Sequence, residues 1–147
     1  MTTTPPETDP LQTALAAEHA ALYEYGVLGA ATSASATPEQ FAAVGAAYRA
    51  HRDQRDELTA MIRKAGGTPV AAEAAYEIPD VRTSARVDAA AVRIEEACQE
   101  TYAWLVAGTA GAERRWGVEA LHMSAVRVLA FRGSPEIFPG ASEYADR

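Results

Sequence analysis

Four segments of this chain carry apolar residues spaced alternately by three and four. Near the middle of each segment the apolar series gives way to a carboxylate or an imidazole. A spacing of three and four is that of one face of an α-helix, the face that must be buried. Four such faces have nowhere to go but against one another, so the pattern predicts an all-α bundle. In the first helix the stripe is Leu11, Leu15, Glu18, Leu22, Tyr25 and Gly29. In the second it is Phe41, Val44, Tyr48, His51, Arg55, Leu58, Ile62 and Ala65. In the third, Val87, Val92, Ile94, Cys98, Tyr102, Leu105 and Val106 form a wide face that contains Glu95. In the fourth, Trp116, Val118, Leu121, Ala125, Val126 and Leu129 lie on or near the inner face, with Glu119 and His122 three apart on one side.

The helix ends are marked as clearly as the stripes. Asp9 followed by Pro10 is an N-cap and first-turn proline, and Thr37-Pro38-Glu39-Gln40 reads as a capping box. Gly66 and Gly67 stop the second helix, Gly108 to Gly111 forms a tight turn, and Gly133 with Pro135 ends the fourth. The expected helices run to about Ala31, to about Ala65, over Ser84 to Ala107 and over Ala112 to Arg132. The stretch from Gly66 to about Thr83 is the one long link, and Ala71 to Tyr76 within it is compatible with a short helical turn. Links between neighbouring antiparallel helices are usually a few residues. One this long can carry the chain along the bundle, so that helices two and three run parallel, which is the ferritin-like arrangement. The expected organisation is a flexible N-terminus over residues 1–9, the bundle over 10–140, and a tail over 141–147. Ile137, Phe138 and Pro139 are apolar enough to fold back on the bundle.

Composition supports helix and narrows the function classes. Of 147 residues, 34 are alanine, the strongest helix former, and Lys64 is the only lysine. The net charge of −7 argues against a broad phosphate-binding face, and so against nucleic acid as partner or a DNA-protecting role. Cys98 stands alone, which excludes an intrachain disulfide and a cysteine metal cluster. The polar start carries no basic residue before an apolar run, and no apolar run is long enough for a membrane span. The expectation is a cytoplasmic protein, not membrane-bound, that forms a homodimer along its helix faces.

Carboxylate-bridged di-metal sites in bundles take one Glu from each of two helices and Glu-x-x-His from each of the other two. Glu119-Ala-Leu-His122 fits one such half. Glu18 fits the single Glu of the first helix, and Glu95, or Glu96 beside it, that of the third. The second helix departs from the pattern: three residues before His51 stands Tyr48, and one turn after it stands Arg55. Glu18, Glu95 and Glu119 are one carboxylate short of neutralising two divalent ions, and Arg55 adds positive charge. With Arg55 and two protonated histidines, three carboxylates sum to zero without any ion. Two readings follow. One is a degenerate layer held by salt bridges, with no cofactor and no classical di-iron chemistry. The other is an iron or manganese site built from Glu18, His51, Glu95, Glu119 and His122, with a redox or storage role.

Several segments are similar to an actinobacterial family of small ferritin-like domains of unknown function. They are Leu15-Ala-Ala-Glu-His-Ala-Ala-Leu-Tyr-Glu-Tyr-Gly-Val-Leu-Gly29, His51-Arg-Asp-Gln-Arg-Asp56, Ile94-Glu-Glu-Ala-Cys98 and Phe138-Pro-Gly140. The resemblance runs from about Leu11 to Gly140. It implies a ferritin-like four-helix fold and says little of activity, because fold does not fix function.

Overall fold

The computed structural model describes residues 9–133 and 139–140. They form four helices: α1 (Pro10–Ala30), α2 (Pro38–Lys64), α3 (Ser84–Gly108) and α4 (Gly111–Arg132). Among the described residues there is no strand, and no helix is long and apolar enough to cross a membrane. The Asp9 carboxylate accepts the Leu11 N–H at 3.0 Å and starts α1. Pro38 opens α2, but the capping box does not form. The Thr37 hydroxyl makes no cap bond to α2 and accepts the Ser33 N–H at 2.9 Å instead, closing the preceding loop. Gly66 and Gly133 take positive φ (84° and 76°) where α2 and α4 end, a backbone that a side chain would strain.

Pairings between side chains fix the helix directions. Glu18 meets His51 while Gly29 faces Val44, so α1 and α2 are antiparallel. Glu18 meets Tyr102 and Tyr25 meets Glu95, so α1 and α3 are antiparallel as well. It follows that α2 and α3 are parallel, and Gln40 confirms it by bonding Ser84 O and Asp88 near the start of both helices. The link follows α1 as the long connection requires. Gln12 exchanges bonds with Thr68 and Val70, His19 Nε2 lies 3.0 Å from Val70 O, and Tyr76 packs on Tyr23. Residues 71–76 form no helical turn; there the Glu73 N–H donates to the Tyr76 hydroxyl at 2.8 Å. His19 therefore fastens the link.

The interior is divided. One apolar cluster gathers Tyr25, Leu28, Val44, Val87, Ile94, Cys98 and Tyr102. The other gathers Leu11, Leu15, Leu58, Ile62 and Leu105. Glu18, His51 and Glu95, all fully buried, lie between them along the bundle axis. Cys98 is buried as a small hydrophobe.

Helix α4 corrects the sequence expectation. Its buried residues are Gly117, Ala120, Ser124 and Val128, about one position from the expected stripe. Small residues win the inner face because α4 lies tight on α3. A Cβ on Gly117 would stand 2.7 Å from the Leu105 side chain and 3.0 Å from that of Val106. The bulkier Met123, Val126 and Leu129 are exposed in consequence. Of the expected tail contact, Ile137 and Phe138 lie outside the described residues. Gly140 is described and rests on α3, where a Cβ would stand 2.8 Å from Gln99 O.

Candidate functional site: a charge-balanced polar layer

The layer is built around one imidazole. His51 Nδ1 is 2.6 Å from Glu18 Oε2, and its Nε2 is 3.1 Å from Glu95 Oε1. The second Glu18 oxygen accepts the Tyr102 hydroxyl. Glu95 Oε1 also accepts the Tyr25 hydroxyl at 2.7 Å and Arg127 Nε at 3.0 Å, and its Oε2 accepts the Ser124 hydroxyl at 2.6 Å. Every carboxylate oxygen and both ring nitrogens are engaged. Arg127 reaches in from α4 and turns its other end to Gln54 at 3.4 Å. It borders a shallow cleft of about 190 Å³ between α2 and α4, beside Ala50, Glu57 and Trp116.

Electrostatics follow from this geometry. Burial disfavours charge on His51, but the hydrogen bonds it donates to Glu18 and Glu95, together with their negative charges, outweigh burial and push its pKa up to about 9. At neutral pH the ring therefore carries both protons and donates through both nitrogens. Burial likewise opposes ionisation of Glu95, and His51 and Arg127 overcome it and hold the carboxyl down at about 2. Burial, reinforced by the adjacent carboxylates, keeps the Tyr25 and Tyr102 phenols protonated as donors. Two carboxylates, one imidazolium and one guanidinium sum to zero inside the bundle.

The five expected site residues divide. Glu18, His51 and Glu95 are brought together at hydrogen-bond distance. Glu119 and His122 are exposed on α4 and do not reach the layer, because the inner face of that helix is set by Gly117, Ala120 and Ser124. The altered positions proposed on α2 are also off the layer. Tyr48 is exposed, and Arg55 pairs with its neighbour Asp56 at 2.7 Å near the surface. Charge balance therefore survives with different members, Arg127 taking the place given to Arg55. Glu96 is the outward one of its pair and bonds Arg132 at 2.9 Å. Ser124, Arg127 and the buried Gln99, whose amide atoms make no hydrogen bond, were not anticipated. The spacing of Gly117, Ala120, Ser124 and Val128 by three, four and four is the signal that would have found the α4 members.

A metal centre of the kind the bundle suggests does not fit these residues. Each ring nitrogen faces a carboxylate and each carboxylate oxygen already accepts a hydrogen bond, so an ion would have to displace both protons and donors from the layer. Among the described residues no group of three His, Cys, Asp or Glu is arranged to hold an ion.

The layer makes a pH prediction. The His51 pKa is raised on folding, from an ordinary 6.5 to about 9. Its stabilisation is therefore complete below pH ~6.5 and is lost as pH rises through about 9. Glu95, lowered to about 2, has the opposite sign, and its contribution is present above ~4.5 and fades below that. Urea midpoints measured across pH are expected to plateau between roughly 4.5 and 6.5 and to fall by a few kcal/mol of stability toward pH ~9.5. A midpoint flat from pH 6 to 10 would contradict a buried imidazolium.

Fold and layer together define a class: an all-α protein of four helices with a neutral ionic cluster between two apolar cores. The chain belongs to the family described as a domain of unknown function (DUF4439), whose model matches residues 10–143. Among solved structures it is similar to a conserved hypothetical protein, rv2844, from Mycobacterium tuberculosis. The two are 31% identical over 84% of this chain and 92% of that one, with a TM-score of 0.77. No curated protein matches the chain.

Proposed function

We propose that this protein is a ferritin-like bundle in which a salt-bridge network stands where a di-metal centre would be, and that it works as a non-enzymatic structural module. The ferritin-like reading is supported by the parallel α2 and α3 and the single long link that joins them. One observation carries the functional reading: Glu18, His51, Glu95 and Arg127 satisfy one another in charge and hydrogen bonding. Such a layer fixes the axial register of the helices, since sliding any helix by a turn would strand a buried charge at a cost of several kcal/mol.

The test is metal stoichiometry after anaerobic purification, with excess ferrous or manganous ion and elemental analysis of the washed protein. No ion retained at one per chain is expected. Retention at one or two per chain, abolished by Glu18→Gln and kept by Glu119→Ala, would overturn the proposal in favour of an iron or manganese protein. Retention that depends on Glu119 and not on Glu18 would mark a surface site and leave the proposal standing.

A further inference from the structure

The cleft between α2 and α4 has two poles of opposite charge, and each pole holds hydrogen-bonding groups that this chain leaves unused. Arg127 is the positive pole. Its Nε is spent inward on Glu95, and its Nη2 reaches Gln54 at 3.4 Å, long for a hydrogen bond. Among the described residues its Nη1 makes no hydrogen bond. The side chain lines the cleft and is 12% exposed. Its Nη1–Nη2 edge, the edge that holds a carboxylate by two parallel bonds, is therefore left for the cleft. Glu57 and Glu119 are the negative pole. Glu57 Oε2 accepts the Trp116 indole N–H at 2.5 Å, and among the described residues its Oε1 accepts nothing. Glu119 stands three residues from Trp116 on the same face of α4, lines the cleft, and has neither hydrogen bond nor ion pair among the described residues. Between the poles the walls are apolar: Ala50, Ala120, Met123 and the Trp116 ring. Gln54, which touches Arg127, and Glu57 are three residues apart on α2, an axial step of about 4.5 Å. The poles are thus one helical turn apart.

We propose that this cleft binds a free α-amino acid with an apolar side chain. Its carboxylate sits on the outer edge of Arg127, its ammonium on Glu57 and Glu119, and its side chain against Trp116 and Met123. Charge selects this class. A ligand with a carboxylate alone meets two more carboxylates, in a chain of net charge −7. A ligand with an ammonium alone faces the guanidinium. A ligand with both charges on one carbon satisfies both poles across a single helical turn. Size selects it as well. At about 190 Å³ the cleft lies below the ~300 Å³ at which ordinary ligand pockets begin, so the occupant is small and its dissociation constant is on the order of 1 mM. Glu95 keeps the Arg127 Nε throughout, so the buried layer is undisturbed and its structural role stands apart from this one.

The chain has two tryptophans, and their indole N–H resonances in the nitrogen-15-labelled full chain test this. Trp116 lines the cleft, while Trp104 is 43% exposed on α3 outside it and serves as the internal control. The probes are L-leucine, L-phenylalanine, 3-phenylpropanoate and 2-phenylethylamine, each raised to about 20 mM at neutral pH, well above the expected dissociation constant. Leucine or phenylalanine is expected to move the Trp116 resonance to saturation and to leave that of Trp104 in place. The two analogues of phenylalanine, each lacking one charge, should bind at least about 5-fold more weakly than phenylalanine. Glu57→Gln and Glu119→Gln change exposed positions, so circular dichroism should match the parent. Each should weaken amino-acid binding about 3- to 5-fold. No saturable Trp116 shift with either amino acid would overturn the proposal, as would equal shifts of Trp104. A one-charge analogue that binds as tightly as phenylalanine, or two glutamine variants that bind as the parent does, would overturn it too.

Discussion

His51→Ala is expected to remove about 3–5 kcal/mol of stability, the range found when one partner of a buried ion pair is deleted. Among the described residues the ring is the only cation that touches both carboxylates. Among the described residues its loss leaves Glu18 with Tyr102, and Glu95 with Arg127, Tyr25 and Ser124. One net negative charge then sits in a fully buried layer. The total stability of a domain this size is about 5–15 kcal/mol, so the variant should lie near the edge of folding. Urea unfolding followed by far-ultraviolet circular dichroism at pH 6 would measure the loss. The decisive comparison is Glu18→Gln/His51→Ala, in which Glu95 and Arg127 again sum to zero. If charge imbalance is the main cost, the double variant should recover a substantial part of what the single one lost, a coupling of 0.5–3 kcal/mol. A single variant within about 1 kcal/mol of the parent, or a double variant less stable than the single, would remove the charge-balance account.

What the sequence disclosed and what it hid both follow from residue size. Helix ends were legible to within a residue or two because proline, glycine and Asp9 mark them by local backbone chemistry. The parallel course of α2 and α3 was legible from the length of the link alone. Glu18, His51 and Glu95 were legible because each interrupts a stripe of larger apolar residues. On α4 the same logic failed. The face against α3 is made of glycine, alanine and serine, which carry little hydrophobic signal, while Met123, Val126 and Leu129 point outward. A stripe drawn through the largest apolar residues therefore selected the wrong side and placed Glu119 and His122 inward. Arg55 was misplaced for a related reason. Spacing put it on the stripe of His51, yet Asp56 beside it supplies a partner at the surface, and a long side chain follows its partner. Tyr25 and Tyr102 were read as core aromatics, which they are. Their hydroxyls completing the carboxylate shells depends on helix register, which spacing within one helix does not encode.

The arginine that matters is thus identified by a contrast. Arg127→Leu is expected to cost about 2–4 kcal/mol near neutral pH, because it strips the guanidinium from a fully buried Glu95. Arg55→Leu should stay within about 0.5 kcal/mol of the parent, its pair with Asp56 being a surface one. The loss in Arg127→Leu carries a pH signature that a packing defect lacks. Arg127 is one of the groups that hold Glu95 down at about 2, so removing it raises the folded pKa of that carboxyl toward its ordinary value. Stability from a lowered carboxyl is present above ~4.5 and fades as pH falls toward the folded pKa. The gap between Arg127→Leu and the parent should therefore be full above pH ~4.5 and shrink below it, as Glu95 in the variant takes a proton and no longer needs a cation. Urea midpoints for both proteins between pH 3 and 7 would reveal it. A gap constant across that range would assign the cost to lost packing in the cleft between α2 and α4. Arg55→Leu proving the more damaging substitution would return the counter-ion role to α2.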